Sequence, residues 1–529
     1  MKKDYFLVLD AGTGAARCNI FNRQGEIIAG DYAEWNYTTP YYENDADAGA
    51  REIREFDPEE FWAIFCRVIR NALQKAGLSP LAIAGITSTS QREGIVLLNK
   101  EGKEIYAGPN IDFRGAKEAE YLAKHFGPRI YKESGHWPSA LHAPARLLWF
   151  KQHRPDIFAE METLLMINDW LLYRLTGKTA SEPSNAAENL FFSIQKREWN
   201  YPLMDELGIK RSLFPPVLSS GTRLGEVNET AATQTGLAPG TPVYIGGADT
   251  HCAVLGSGGI TAGHLVIVSG TSTPVMAVVD TPIIDSKGRV RTGPYLTKDQ
   301  WVLDSNARPT GVVYRWLRDT FYKTEGEAHG LNSAGDLYRL MDEEAQTAPP
   351  GCNGLMAFLG PSILDTSNIR DFDGVFMGIK PSYEKELCNR GLFARSVLEN
   401  IAFAVRGNVE QLYALLGEKP KQVYLTGGAA KAPLLRRMIT DLVNLPVHVS
   451  TCPEATSLGA AICAAVGTGA YASFAAAVDG MVGQPLVEEP DPATSRCYEK
   501  FYRRWLKVYA HLTANYRLFT SGLEESSGV

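Results

Sequence analysis

A chain of 529 residues with 45% hydrophobic, 21% charged and 10% aromatic residues is long and apolar enough for about two to four domains. That excludes a small module and a disordered chain. Lys plus Arg is 53 against 60 for Asp plus Glu, a net charge of -7, so no basic excess points to nucleic acid or an anionic membrane; a small ligand is the first expectation. The eight cysteines form no CxxC pair and have no histidines at zinc spacing, which predicts free thiols in a reducing, cytoplasmic compartment.

The N-terminus, MKKDYFLVLDAGTG, opens with two lysines, but Asp4 and Asp10 interrupt any signal-peptide core, and the segment reads as a first strand. Phe6 to Leu9 is that strand. Asp10 and the turn Gly12-Thr13-Gly14 end it, Cys18 to Phe21 returns, and Arg23-Gln24-Gly25 leads into Glu26 to Ala29, an antiparallel meander. Phe61 to Ala76 has helical spacing, and Ile83 to Ser88 is a strand running into Gln91-Arg92-Glu93-Gly94. Helices are predicted at Ala116 to His125, Ala145 to His153 and Ala159 to Leu175, the last closed by Gly177.

Val243 to Ile245 is a buried strand ending in Gly246-Gly247-Ala248-Asp249. The opening pattern then restarts: His264 to Val268 is a strand, Ser269 to Thr273 a glycine turn and Val275 to Val279 the return, which predicts an internal duplication. Further on come a helix over Ala394 to Leu416, a strand Gln422 to Leu425 ending in Thr426-Gly427-Gly428-Ala429-Ala430, and a helix over Pro433 to Val443. From Tyr498 to Tyr516 an aromatic stripe at helical spacing predicts core packing. Thr250 to Val279 and Ala455 to Val478 lack charged residues, but glycines and Pro274 punctuate the first, and Gly467 and Gly469 break the Ala-rich second. Both predict buried elements with close backbone approach, not membrane spans.

The chemistry concentrates at the ends of these strands. A turn of Gly12, Thr13 and Gly14 offers backbone N–H groups and a hydroxyl to phosphate oxygens, and Asp10 beside it suits a magnesium ion. Alone, such a turn can be a mere hairpin. Its repetition as Gly270-Thr271-Ser272, and a third glycine turn at Gly427-Gly428-Ala429 before a helix, point to a nucleotide. Asp249, after a buried strand and two glycines, is placed to take a proton from an attacking hydroxyl, or to cap the following helix. Gln91, Arg92 and Glu93 set a donor fork beside acceptors, the requirement for a polyol or sugar, although an exposed ion pair has the same pattern. Asn110, Asp112 and Arg114 add polar groups, with Asp112 and Arg114 equally readable as a structural pair. Asn185 fits turn chemistry, and His251 lies two residues after Asp249; His136 and His142 read as packed.

The order of LDAGTGAAR, SQREG, NIDFRGAKEAE, ARLLWFKQH, NDWLLYRLTG, GGADTHCAVLGSG, SGTST, ARSVLENIAF, LTGGAAK and EATSLGAA resembles the FGGY carbohydrate kinases over nearly the whole chain. That resemblance implies an α/β fold of two actin-like, ribonuclease-H-like ATPase domains flanking a central cleft. They are expected at residues 1–257, the substrate side, and 258–529, the nucleotide side with a C-terminal packing helix. It further implies ATP and Mg2+ as cofactors and phosphorylation of a hydroxyl on a small sugar-like substrate, as in xylulokinase and other pentulose or polyol kinases. Carried over, Asp249 is the catalytic base and shares the metal with Asp10; Gln91, Arg92, Glu93, Asn185, Asp249, Thr250 and His251 contact substrate. Gly12, Thr13, Gly14, Gly270, Thr271, Ser272, Gly427, Gly428 and Ala429 hold the nucleotide. No nucleic-acid or membrane partner is expected, and the chain is compatible with a homodimer. The rival of another class is a nucleotide-driven binding module of the actin or heat-shock type, which has no need of a polar site at Gln91 to Gly94.

Overall fold

The computed structural model describes residues 3–40, 53–328, 333–370, 372–381, 384 and 388–520. The chain divides into two compact units, the first of Met1–Ala262, Val278–Leu303 and Glu454–Gly483, the second of Gly263–Ala277, Asp304–Pro453 and Gln484–Val529.

In the first unit, β1 (Tyr5–Ala11) runs antiparallel to β2 (Ala15–Phe21), and β2 antiparallel to β3 (Ile27–Glu34), the predicted meander. Helix α1 (Pro58–Ala76) follows, with Asp57 accepting the N–H groups of Glu59 and Glu60, and Gly77 ending it at φ 62. Its Trp62, Phe65, Ile69 and Leu73 join Leu7, Leu9 and Ile20 of the sheet in one core. Strand β4 (Ile83–Ser90) then lies parallel to β1, and the short segment Gly247–Ala248 pairs with the end of β4. Asp10, Gln91 and Asp249 therefore emerge at the carboxyl ends of three neighbouring parallel segments, where open α/β sheets bind ligands.

Two helices cover this unit's sheet with small residues. Asp249–Gly256 and Ala455–Gly467 approach so closely that a Cβ on Gly459 would sit 1.8 Å from the Cys252 carbonyl oxygen, and one on Gly256 would sit 2.0 Å from that of Ala455. The helical parts of the two uncharged stretches are thus buried with close backbone approach, as expected, whereas Thr261, Gly270, Thr271, Gly469 and Ser473 in the same stretches are exposed. Among the described residues no helix is long and apolar enough to cross a membrane. Gly459→Val must push these helices apart, and we expect a loss of about 2–3 kcal/mol. A denaturant midpoint equal to that of the parent chain would contradict the packing.

One predicted helix is not continuous. Ala159 to Leu175 is the end of a short helix Pro155–Glu160, a strand Thr163–Met166 and a helix Ile167–Thr176. Leu164, Leu165 and Met166 pair antiparallel with Leu97, Val96 and Ile95 and are wholly buried, so pairing overrides the helical reading of this apolar run.

In the second unit, Leu265, Val266 and Ile267 pair antiparallel with Ala277, Met276 and Val275, and His264–Ser269 runs parallel to Gln422–Gly427, which is followed in the sheet by Val447–Val449 and Leu486–Glu488. A hairpin whose first strand also pairs parallel with a later one occurs in both units, so the predicted duplication holds. Helix Arg390–Leu416 runs buried through the unit. The terminal helix Pro492–Ala514 packs Tyr498, Tyr502 and Trp505 around Phe403, which makes the aromatic stripe core.

Candidate active site

At the carboxyl edge of the first unit's sheet, Asp10 closes β1, only 4% exposed. Burial lifts its pKa to about 6, against the pull of the Arg17 guanidinium 3.5 Å away and with added repulsion from Glu454. Asp249 is the first residue of its helix rather than the cap, which is Ala248. Its Oδ1 accepts the Thr250 N–H at 2.6 Å. Burial raises Asp249 to about 7; Arg92 opposes the rise, while Asp10 and Glu93 add to it. The sequence thus brings two carboxylates of elevated pKa into mutual range, an arrangement suited to binding a hard cation and to accepting a proton near neutral pH.

The Gly12-Thr13-Gly14 turn is held from behind. Trp35 Nε1 and the Tyr37 hydroxyl donate to the Thr13 carbonyl, Gln91 Nε2 to that of Gly12 at 3.3 Å, and the Trp35 N–H to that of Gly14 at 3.2 Å. These bonds occupy the carbonyls, the groups that would repel a phosphate, while Thr13 and Gly14 stay exposed. The Asn110 amide donates to Thr13 Oγ1 at 3.2 Å, and its backbone N–H donates to Gln91 Oε1 at 2.9 Å. Gln91 is therefore a brace of the turn, with both ends of its amide engaged by the chain. Arg17, the arginine of the DAGTGAAR motif, is partly exposed and next to both Gly12 and Asp10, a cation at this turn to which the sequence assigned no site role.

Gln91, Arg92 and Glu93 are 1%, 8% and 6% exposed, which removes the surface ion-pair reading. Glu93 sits at φ 62, a backbone conformation rare outside glycine and asparagine, and its carbonyl accepts Arg146 Nη2 at 2.7 Å. Arg146, fully buried, also donates to the carbonyls of Leu141 and Gly108 and so fixes the strained corner. Arg92 Nη1 meets Glu188 Oε1 at 3.4 Å, and His136 Nε2 meets the other oxygen of Glu188 at 3.4 Å. Burial pushes Glu188 up, but His136 and Arg92 bring it well below the usual carboxylate range; burial and Glu188 push Glu93 up. Arg291 stands 3.9 Å from Glu93.

The remaining predicted residues fall around this centre. Asn185 is fully buried in the short helix Pro183–Ala187, where its amide donates to Asn168 Oδ1 at 2.8 Å and its N–H to Glu182 at 3.1 Å. Ser184 Oγ in turn accepts the Ala248 N–H at 3.0 Å, so this network anchors the segment that presents Asp249. Thr250 is partly exposed beside Asp249. His251 is buried, near Gly293 and the Tyr295 ring. Asp112 and Arg114 form a buried pair at 2.7 Å, braced by Tyr106 and Glu55, and are structural.

The second unit contains a cavity of about 810 Å3, within the range of small-molecule sites. Gly270, Thr271, Gly428 and Ala429 line it, as does Lys431 of the LTGGAAK motif; the predicted Gly427 and Ser272 do not. The Gly428 N–H donates to the Ser269 carbonyl at 2.7 Å, and the Ala429 N–H to Ser269 Oγ at 3.1 Å. Tyr314, stacked on Tyr338 at 5.1 Å, also lines it, as do Tyr338, Arg315 and Arg339. Nothing in their sequence context marked these tyrosines, which stand on two separate helices, Gly311–Phe321 and Ala334–Thr347.

An α/β chain in two units, with a carboxylate pair in one and a glycine-turn cavity in the other, has the parts of an ATP-dependent phosphotransferase. The chain belongs to the FGGY family of carbohydrate kinases: the N-terminal domain of that family matches residues 5–256 and the C-terminal domain residues 265–468. It is an ATP-dependent sugar kinase. It is 34% identical to the autoinducer-2 kinase of Salmonella paratyphi A over 513 residues, 96% of this chain and 94% of that one, and equally identical to the autoinducer-2 kinase of Escherichia coli K12 over 515 residues. In fold it is similar to a xylulose kinase from Lactobacillus acidophilus, with a TM-score of 0.83 at 21% identity over 98% of this chain and 100% of that one. It is likewise similar to Plasmodium falciparum glycerol kinase, with a TM-score of 0.78 at 18% identity over 96% and 98%.

Proposed function

We propose that the chain is an autoinducer-2 kinase, transferring the terminal phosphoryl group of ATP to a hydroxyl of 4,5-dihydroxy-2,3-pentanedione. The observation that carries this reading is the 34% identity with such kinases over nearly the full length of both chains. The DAGTG turn with Arg17 three residues on, the AEW beginning at Ala33, REGIVL from Arg92 and PSNA from Pro183 resemble the same group.

In this reading Asp249 is the general base. An acid with a pKa of about 7 is ionised in useful amount at neutral pH and still basic enough to draw a proton from a hydroxyl in the transition state. With Oδ1 engaged by Thr250, Oδ2 takes the proton. Arg92 and Glu93 orient the acceptor's other hydroxyls. The hard oxygen donors Asp10 and Asp249 suit Mg2+, which when bound neutralises phosphate charge. In the second unit Gly270, Thr271, Gly428 and Ala429 line the cavity assigned to the nucleotide, with Lys431 as a local cation, and in the first unit the exposed Thr13 and Gly14 offer a hydroxyl and a turn suited to phosphate.

The test is ADP release with ATP, Mg2+ and, in turn, 4,5-dihydroxy-2,3-pentanedione, D-xylulose and glycerol. We expect kcat/KM for the pentanedione to exceed the others by at least about tenfold. Preference for D-xylulose or glycerol would reassign the substrate. ADP release indifferent to any acceptor would favour a nucleotide-driven module.

A further inference from the structure

We infer that His142, Glu188 and Glu93 form a recognition site for a second hydroxyl of the acceptor, a secondary alcohol or one arm of a hydrated carbonyl, distinct from the hydroxyl that is phosphorylated. The inference rests on the kinase reading above, in which Glu93 already orients the acceptor, and extends it to His142 and Glu188.

The three side chains are 2%, 1% and 6% exposed, and a ring nitrogen of His142 and a carboxylate oxygen of each glutamate lie within 4.8 Å of one another. Two carboxylates and an imidazole first suggest a metal ion. The imidazole's hydrogen bonds argue against one. The Ser139 backbone N–H, which can only donate, points at His142 Nδ1 from 3.2 Å, and Ser139 Oγ lies 2.9 Å from the same nitrogen. Nδ1 is therefore an acceptor, and a neutral imidazole has one proton, so that proton is on Nε2. The ring stays neutral: burial and the neighbouring charges of His136, Arg291 and Arg146 outweigh the attraction of Glu188 and hold its pKa at about 3. An Nε2 that carries a proton has no lone pair for a cation.

Nε2 is buried and has no hydrogen-bond partner among the described residues. A buried donor left unmade is costly, and such groups in native folds await a ligand or a water. The charges around it say what kind. Glu188 faces Arg92 and His136, and Glu93 faces Arg291, so the two carboxylates are already balanced by guanidinium groups and neither a cation nor an anion is called for. A neutral hydroxyl oxygen completes the set, accepting from His142 Nε2–H and donating its own proton to ionised Glu188. A ketone oxygen satisfies only His142, and an apolar group satisfies neither. Glu93 is among the charges that act on Asp249, which makes the recognised hydroxyl a near neighbour of the reacting one.

The test uses the full chain with ATP and Mg2+, and the variants His142→Leu, which loses the donor, and His142→Gln, which keeps an N–H. On the best acceptor among the pentanedione, D-xylulose and glycerol, His142→Leu is expected to raise KM about 10- to 100-fold with kcat within about threefold, and His142→Gln to recover much of the loss. Calorimetric titration with the same acceptor, without ATP, should show the same loss of affinity. In the 15N-labelled chain the His142 ring should report a proton on Nε2. A KM unchanged in His142→Leu, a proton on Nδ1, or a parent chain that binds none of the three acceptors overturns the inference. Turnover of D-xylulose or glycerol in place of the pentanedione overturns only the substrate reading, and the His142 comparison is then made on that acceptor.

Discussion

Asp249→Asn is expected to lower kcat by about 10³-fold while leaving ATP-induced thermal stabilisation in place. The variant keeps shape and the bond from Thr250 but loses the oxygen that receives the proton, and general bases of this kind contribute about 10²–10⁴-fold. The cavity proposed for the nucleotide is lined wholly by the other unit's residues, so the substitution leaves that lining intact. The parent chain should show an acid limb in kcat/KM centred near pH 7, with activity falling about tenfold per unit below it as Asp249 takes a proton. The same shift acts on stability with the opposite sense. Because Asp249 is more basic folded than its ordinary value of 3.8, the folded chain binds this proton more tightly than the unfolded one. That contribution is full below about pH 4 and is lost as pH rises to about 7. Above pH 7 the folded chain holds an ionised carboxylate it disfavours, so Asp249→Asn should be more stable than the parent by on the order of 1–2 kcal/mol. Turnover of the variant within tenfold of the parent would remove Asp249 as the base.

Much of this centre was legible in the sequence, because its parts are local. Asp10 with its glycine turn and Asp249 after Gly246-Gly247 are each a strand end and a turn in a single short window, and the parallel pairing of β4 with both β1 and Gly247–Ala248 brings them together. What was not legible is whatever depends on burial or on distant partners. Gln91 reads like a substrate ligand, yet its amide is spent on Gly12, Tyr37 and Asn110. His142 and Glu188 carry no motif; they matter because the corner at Glu93, held by Arg146, turns toward them. The missed strand at Thr163–Met166 has the same cause, since three apolar residues in a row look alike in either period until Ile95–Leu98 pairs with them.

Charge shows the same division. A net charge of -7 shows no basic excess, yet Lys431, Arg315 and Arg339 all line the cavity of the second unit. A whole-chain balance cannot register three cations drawn from helices and a turn that converge only in space.

The glycine turn of that cavity is the place where the smallest change should have the largest effect on nucleotide binding. Gly427 ends its strand at φ +83, directly beside Ser269 of the neighbouring parallel strand, and a Cβ there would lie 2.0 Å from the Ser269 carbonyl oxygen. That oxygen is the acceptor for the Gly428 N–H, and Ser269 Oγ holds the Ala429 N–H, so two of the cavity's lining residues are positioned by the residue a side chain would strike. Both objections, the left-handed backbone and the clash with main chain, fall on any non-glycine residue, and a β-branched one suffers most. Gly427→Val should therefore raise the KM for ATP by more than about 30-fold and abolish the thermal shift produced by ADP, because the turn must move for the chain to fold at all. Acceptor binding measured by calorimetry without nucleotide should survive, since Arg92, Glu93 and Asp249 belong to the other unit. A Gly427→Val chain that still gives the parent's thermal shift with ADP would show that this turn does not hold the nucleotide, and the assignment of Gly427, Gly428 and Ala429 would fall with it.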